Sequence, residues 1–488
     1  MKKKMLLIGA LAGLALSLDL GAQDARGVVD AASRAMGTAT LQGVSYSATG
    51  SSYSVGQNYT AGGPWPRFTV TKYDAALNFG VQVMREEFVR VDDENPPKGG
   101  GAGPYVPETQ QGGIRPIPFG PQTTRAMRDG RTENGALQIW LTPHGFLKGA
   151  AANSATVRAG QRGAQVVSFT AFNGKYTISG TLNAQNLVER VETKVSNPLY
   201  GDMALEAVYS EYRDVNGVKF PMHIVQRQGG FPTFDLRVSG VQPNSDQAAS
   251  LTAPPRPAGA PAAEGPARAT AKELAPGFWA LEGGIPMSFL IEFRDHVVVI
   301  EAPGNEERTE AMLAEVKRVT PSKPIRYVVN THHHSDHSGG LRAVVAEGIP
   351  ILTHQSNKAY YEKLFRNPSQ IVPDRLSRAP KAAIIEGVGD KRVLTDGTRS
   401  VELLHLSENL HADSLLVVYL PKERMLLQAD AFAPRPPGAK PLPSSPYTTN
   451  LLGHIRSRKL DVAQLVHVHG GMDPFSALVE TANRRGTN

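Results

Sequence analysis

Residues 331–340 read THHHSDHSGG. Four histidines and an aspartate fall between His332 and His337, in a chain of 488 residues with only 13 histidines. The preceding IRYVVNT is an apolar, β-branched run that predicts a short buried strand, and LRAVVAEG after Gly340 predicts a helix. The cluster therefore sits where a strand ends and a loop begins. Side chains there are held firmly while the loop leaves room for a ligand. His332 and His334 are two apart, so in an extended segment they point to the same side and His333 points away. Asp336 and His337 fall in the turn and can aim at a second position. One short segment thus offers two imidazoles to one metal ion, and a carboxylate with an imidazole to another. The chain has no cysteine. Thiolate is excluded as nucleophile and ligand, so a metal site here must use nitrogen and oxygen donors, and the domains must stand without disulfides.

Outward from the cluster, the region from about residue 270 alternates strands and helices. FWALEG, SFLIEF and HVVVIEAP predict strands, and residues 305–320 predict an amphipathic helix with Met312, Leu313 and Val316 on one face. Residues 24–250 read differently. SYSATGSSYSVGQNYT and PRFTVTKYD carry the alternation of strands, and Asn173-Gly174 and Asn216-Gly217 each separate two strand-like runs, a hairpin signal. This half is expected to be a β-rich N-terminal domain without chemistry of its own. Residues 251–269, rich in proline and alanine, predict an extended linker to a domain spanning 270–488. Residues 95–122 predict a long exposed loop.

The chain starts with Lys2, Lys3 and Lys4, an apolar run and a small-residue exit, so residues 1–22 are expected to be a cleaved signal peptide. The apolar run is shorter than the roughly 20 residues that span a bilayer. The expected location is periplasmic or secreted, with no stable membrane anchor after cleavage. The net charge of +7 includes those lysines. No dense basic run with interleaved aromatics occurs, which argues against nucleic acid as a partner. Oligomeric state is not legible.

The H-x-H-x-D-H pattern of His332, His334, Asp336 and His337 resembles the motif of the metallo-β-lactamase-fold hydrolases. Later segments match the family in order: ENLHADSLLVVYLP supplies His411, RMLLQADAF supplies Asp430, and LVHVHGG supplies His469. The resemblance covers roughly residues 275–470. It implies an α/β domain of αββα sandwich type. It implies one metal at His332, His334 and His411, a second at Asp336, His337 and His469, and Asp430 bridging them, with Asp336 and Asp430 as the catalytic carboxylates. Such donors suit two zinc ions, and iron or manganese is also acceptable to them. The family's early-strand aspartate is replaced by Glu301 in VVVIEAPG. Glu301, Asp413 and His467 are candidate supports behind the ligands. His405 is an alternative to His411, and His333, His354 and His454 are read as packing or surface residues.

The implied activity is hydrolysis of a small-molecule ester, lactone, thioester or related bond by a hydroxide bridging two metal ions. Asp430 in the bridging place is similar to glyoxalase II, lactonase and phosphodiesterase members, whereas true β-lactamases carry Cys or Ser there. β-Lactam hydrolysis is one alternative, and a non-catalytic metal-binding or sensing module is another. The proline-rich residues 434–446 are expected to wall the pocket, with Tyr447 and Asn450 as candidate polar contacts.

Overall fold

The computed structural model describes residues 17–94, 96–100, 122–253, 267–433 and 444–484. Most of the expected signal peptide, the middle of the linker and most of the proline-rich wall lie outside the described residues.

Among the described residues, the N-terminal region forms one antiparallel sheet of eleven strands. Its first strand, Gly43–Tyr53, pairs with its last, Phe231–Pro243, in the interior of the sheet, whose edges are the strands Gln122–Asp129 and Thr156–Ala159. Asn216 and Gly217 form the two-residue turn between Gly201–Val215 and Val218–Gln228. Asn173 and Gly174 sit in a longer turn, with Ala171 opposite Tyr176. Three expectations need correction. Residues 24–35, assigned to the β-rich region, belong to the helix Ser17–Ala35, whose Val28, Val29 and Ala32 pack with Phe146 and Leu147. The helices Glu133–Leu141 and Pro143–Ala152 also cover this sheet; Thr132 and Thr142 cap them by accepting from Gly135 N and Gly145 N. Finally, SYSATGSSYSVGQNYT is not all strand. The strand ends at Tyr53 and residues 54–66 leave the sheet.

The C-terminal region holds two sheets. The first has seven strands in chain order, from Thr270–Ala275 to Ile385–Val388, and the second has six, from Lys391–Thr395 to Met472–Pro474. Alternation decides which residues face where. Val298, Ile300, Val329 and Leu352 share a core with Leu403, Val417, Leu427 and Val466 of the second sheet. Their neighbours Val297, Val299, Val328 and Ile351 instead pack on Met312, Val316, Leu341 and Val344. The expected helix is found at Glu306–Val319, capped by Asn305, which accepts from Arg308 N.

Strand direction places the site. Val297–Ile300 runs parallel to Ile325–Val329, and Met425–Gln428 runs parallel to Gln464–His467. The C-terminal ends of the first pair lead into Glu301 and the histidine cluster, and those of the second pair into Asp430 and His469. Ligands of open sheets gather at such ends. Two backbone bonds join the sheets there, Leu416 N to Thr331 O at 2.8 Å and Met287 N to Val468 O at 2.7 Å. Gly340 permits the tight packing behind the cluster, because a Cβ there would lie 1.9 Å from Thr309 Oγ1.

Candidate metal centre

Seven side chains converge at this end of the domain. His332, His334 and His411 form one donor group, Asp336, His337 and His469 form another, and Asp430 groups with His332 and His337 between them. The Asp430 carboxylate is central. Its Oδ2 lies 2.9 Å from His337 Nε2 and 3.3 Å from both His332 Nε2 and His411 Nε2, while Oδ1 lies 2.8 Å from His469 Nε2.

The donor spacing fits zinc. Bonds of about 2.0–2.1 Å in tetrahedral geometry put donor atoms about 3.3 Å apart. His332 Nε2 and His411 Nε2 are 3.3 Å apart, and His337 Nε2 is 3.2 Å from His469 Nε2 and 3.4 Å from Asp336 Oδ2. Tautomers agree. His332 Nδ1 meets Thr331 Oγ1 at 3.0 Å, which leaves Nε2 for a metal. His334 spends Nε2 on the Asn58 carbonyl at 3.0 Å, and its Nδ1 is buried without a hydrogen-bond partner, an atom that a metal would satisfy.

Electrostatics differ between the two groups. Burial, reinforced by neighbouring imidazoles, holds His332 and His334 well below the usual histidine range, so both are neutral. Burial also acts to lower His337, but the Asp336 and Asp430 carboxylates outweigh it and hold His337 well above that range. His469 is raised as well: the Asp430 carboxylate overcomes its burial. Asp430 is held well below the carboxylate range, because His469 and His337 overcome its desolvation. Access differs from donor to donor. His332, His334 and His337 are fully buried, whereas the side chains of Asp336 and His469 are 39% and 28% exposed. Solvent reaches the site at these two residues.

Glu301 supports the cluster despite its extra methylene. Its Oε1 accepts from Thr331 N at 3.1 Å, and Oε2 faces His337 Nδ1 at 3.7 Å. His467 acts at one remove: its Nδ1 accepts from Gln428 Nε2 at 2.6 Å, and that amide bonds the Phe432 backbone, closing the turn that carries Asp430. Asp413 is not found on the His411 ring. Its backbone bonds Tyr59 O and His405 Nε2, and burial raises its carboxyl. Asn409 supports His411 instead, accepting from its backbone N at 3.0 Å. His405 stacks on His354, with centroids 4.0 Å apart, and is not among the converging donors. His333 is no idle surface residue. It is fully buried, with Nδ1 on Ser414 Oγ and Nε2 on Asn58 O.

Sequence reading misses the contribution of the N-terminal region. Gln57 Nε2 donates to Asp336 Oδ1 at 2.9 Å, and Asn58 O receives both His333 and His334. Residues 96–100, expected in an exposed loop, are also drawn in: Gly99 N bonds Leu410 O and Tyr447 Oη bonds Pro97 O. Tyr447 and Asn450 are thus engaged within the fold, Asn450 through Asn409. No local pattern in residues 54–58 marks this role; only the tertiary arrangement reveals it.

Residues 281–467 match the family model of the metallo-beta-lactamase superfamily. The match contains every converging donor except His469, two residues beyond its end. No curated protein matches the chain. Among solved structures, it is similar to the metallo-beta-lactamase from Pontibacter korlensis, at 19% identity over 44% of this chain and 97% of that one, with a TM-score of 0.34. It is also similar to the FIM-1 metallo-beta-lactamase from Pseudomonas aeruginosa in the mono-zinc form, at 17% identity over 44% and 93%, TM-score 0.34. The DIM-1 metallo-beta-lactamase gives 17% identity over 44% and 95%, TM-score 0.33. The class defined by residues 281–467 is that of the metal-dependent hydrolases. That part of the chain is a metallo-beta-lactamase superfamily domain, preceded by a large β-rich region.

Proposed function

We propose that this protein is an exported dinuclear metal hydrolase, with zinc in both seats, acting on an ester, lactone or thioester of a small molecule. The observation that carries this reading is Asp430. One carboxylate lies within 3.3 Å of imidazoles from both donor groups, which suits a bridging ligand. His332, His334 and His411 would hold the first ion, and Asp336, His337 and His469 the second. Two divalent ions held so close supply Lewis-acid polarisation of a substrate oxygen and a lowered pKa for water.

The chain's own groups do the rest. The Asn58 carbonyl and Thr331 Oγ1 fix the tautomers of His334 and His332. Glu301 holds the turn that presents His337. Asp336 is the exposed carboxylate at the rim, and the Gln57 amide donates to its Oδ1. The layering of helices outside two sheets supports the αββα reading, and the basic, apolar start of the sequence supports export.

The test combines metal analysis of the purified chain with a panel of chromogenic esters, lactones, thioesters, phosphodiesters and a cephalosporin. Two ions per chain with turnover of the carboxylic substrates is the expected result. Preferential turnover of the cephalosporin would make it a β-lactamase. Two ions with no turnover of any class would make it a metal-binding module and overturn the proposal.

A further inference from the structure

The loop between Gly43–Tyr53 and Arg67–Asn78 is built on the N-terminal sheet but ends at the metal ligands. Its base is fixed: Ser54 N bonds Pro66 O at 3.0 Å, and the buried Arg90, lying over Phe68, reaches Ser54 Oγ. Its tip is also fixed, because the Asn58 amide bonds Thr60 O and Gly63 O. Three successive residues then grip the H-x-H-x-D-H segment. Gly56 O accepts from Ser335 N at 3.0 Å, Gln57 donates to Asp336, and Asn58 O accepts from His333 and His334. The approach is close. Gly56 has φ +73°, and a Cβ there would stand 2.4 Å from Ser335 Oγ.

The Gln57 contact has a chemical consequence. Its amide N–H occupies Asp336 Oδ1 at 2.9 Å, and the other oxygen, Oδ2, is the one facing His337 Nε2 and His469 Nε2. Asp336 is the most exposed of the converging donors, so without this bond its carboxylate is free to rotate into solvent. The first donor group does not depend on Gln57: its imidazoles are buried, and His334 is held by the Asn58 carbonyl.

We propose that Gln57 is a positioning residue for the second metal seat, so that the N-terminal region is a working wall of the metal centre. This rests on the two-ion reading above. Groups that orient metal ligands typically change metal affinity by about 10–100-fold when removed.

The test uses the full chain carrying Gln57→Met, which keeps the length of the side chain and loses the N–H donor. Metal-free wild type and variant are titrated with zinc against a chelator, and with cobalt while the visible spectrum is followed. Wild type is expected to bind two ions. Gln57→Met is expected to keep the affinity of the first and to bind the second about 10–100-fold more weakly, with an altered spectrum for the second cobalt only. Gly56→Val, which forces the loop off Ser335, is expected to weaken both. A Gln57→Met protein with unchanged second-ion affinity and spectrum overturns the inference while leaving the two-ion reading intact. Equal loss of both ions also overturns it, by making Gln57 a general prop. Wild type binding fewer than two ions would sink the two-ion reading itself.

Discussion

Loading the second seat should release protons, and loading the first should release far fewer. In the metal-free protein, the carboxylates of Asp336 and Asp430 hold His337 well above the usual range, so it carries a proton at neutral pH. His469 is raised too, by Asp430. A metal at these nitrogens must displace those protons. The sign follows: competition is full at low pH and fades as pH rises through the raised values, so affinity increases with pH. Each displaced proton makes affinity change about tenfold per pH unit, or about 1.4 kcal/mol. With His337 and His469 both raised, loading the second ion should release more protons than loading the first. His332 and His334 are already neutral through burial, so the first ion should show a much flatter profile. Calorimetric titration in buffers of different protonation enthalpy reads the proton count directly. A second ion that binds with no proton release, or more weakly as pH rises, would refute this reasoning.

Other substitutions test the supports. Glu301→Ala leaves the buried Thr331 N–H without its acceptor and should cost about 2–3 kcal/mol, seen as an earlier urea midpoint. Gly340→Ala drives a Cβ to within 1.9 Å of Thr309 Oγ1. It should cost about 1–3 kcal/mol and recover in part when combined with Thr309→Ala; an unchanged melting temperature would contradict the packing argument. His333→Phe removes the bond to Ser414 and one of the two bonds to Asn58. It should lower stability by about 1–2 kcal/mol while metal content stays at the wild-type value, and loss of one ion would make His333 a ligand.

The convergence on Asp430 was implied by the resemblance to the metallo-β-lactamase-fold motifs, which lie at strand ends where apolar runs stop and His or Asp begins. His411, Asp430 and His469 each flank such a run, and the structure brings them to His332–His337. The hairpin at Asn216-Gly217 was legible for the same local reason, a turn signal between two alternating runs. What escaped depends on distance in the chain. Gln57 and Asp336 are 279 residues apart, and nothing in the composition of VGQNYT distinguishes a site loop from a strand end. Asp413 was chosen for its nearness to His411 in sequence, yet the turn directs it to Tyr59, and Asn409 takes the supporting place. The helices Glu133–Leu141 and Pro143–Ala152 escaped because they are short and buried on more than one face, which weakens the helical stripe.

The central claim is that seven donors from two sheets form two adjoining metal seats. Crystals of the full chain grown with zinc and measured at the zinc absorption edge test it directly. Two anomalous peaks are predicted, one enclosed by His332, His334 and His411, the other by Asp336, His337 and His469, with Asp430 touching both. A single peak, or none at these side chains, would contradict the account.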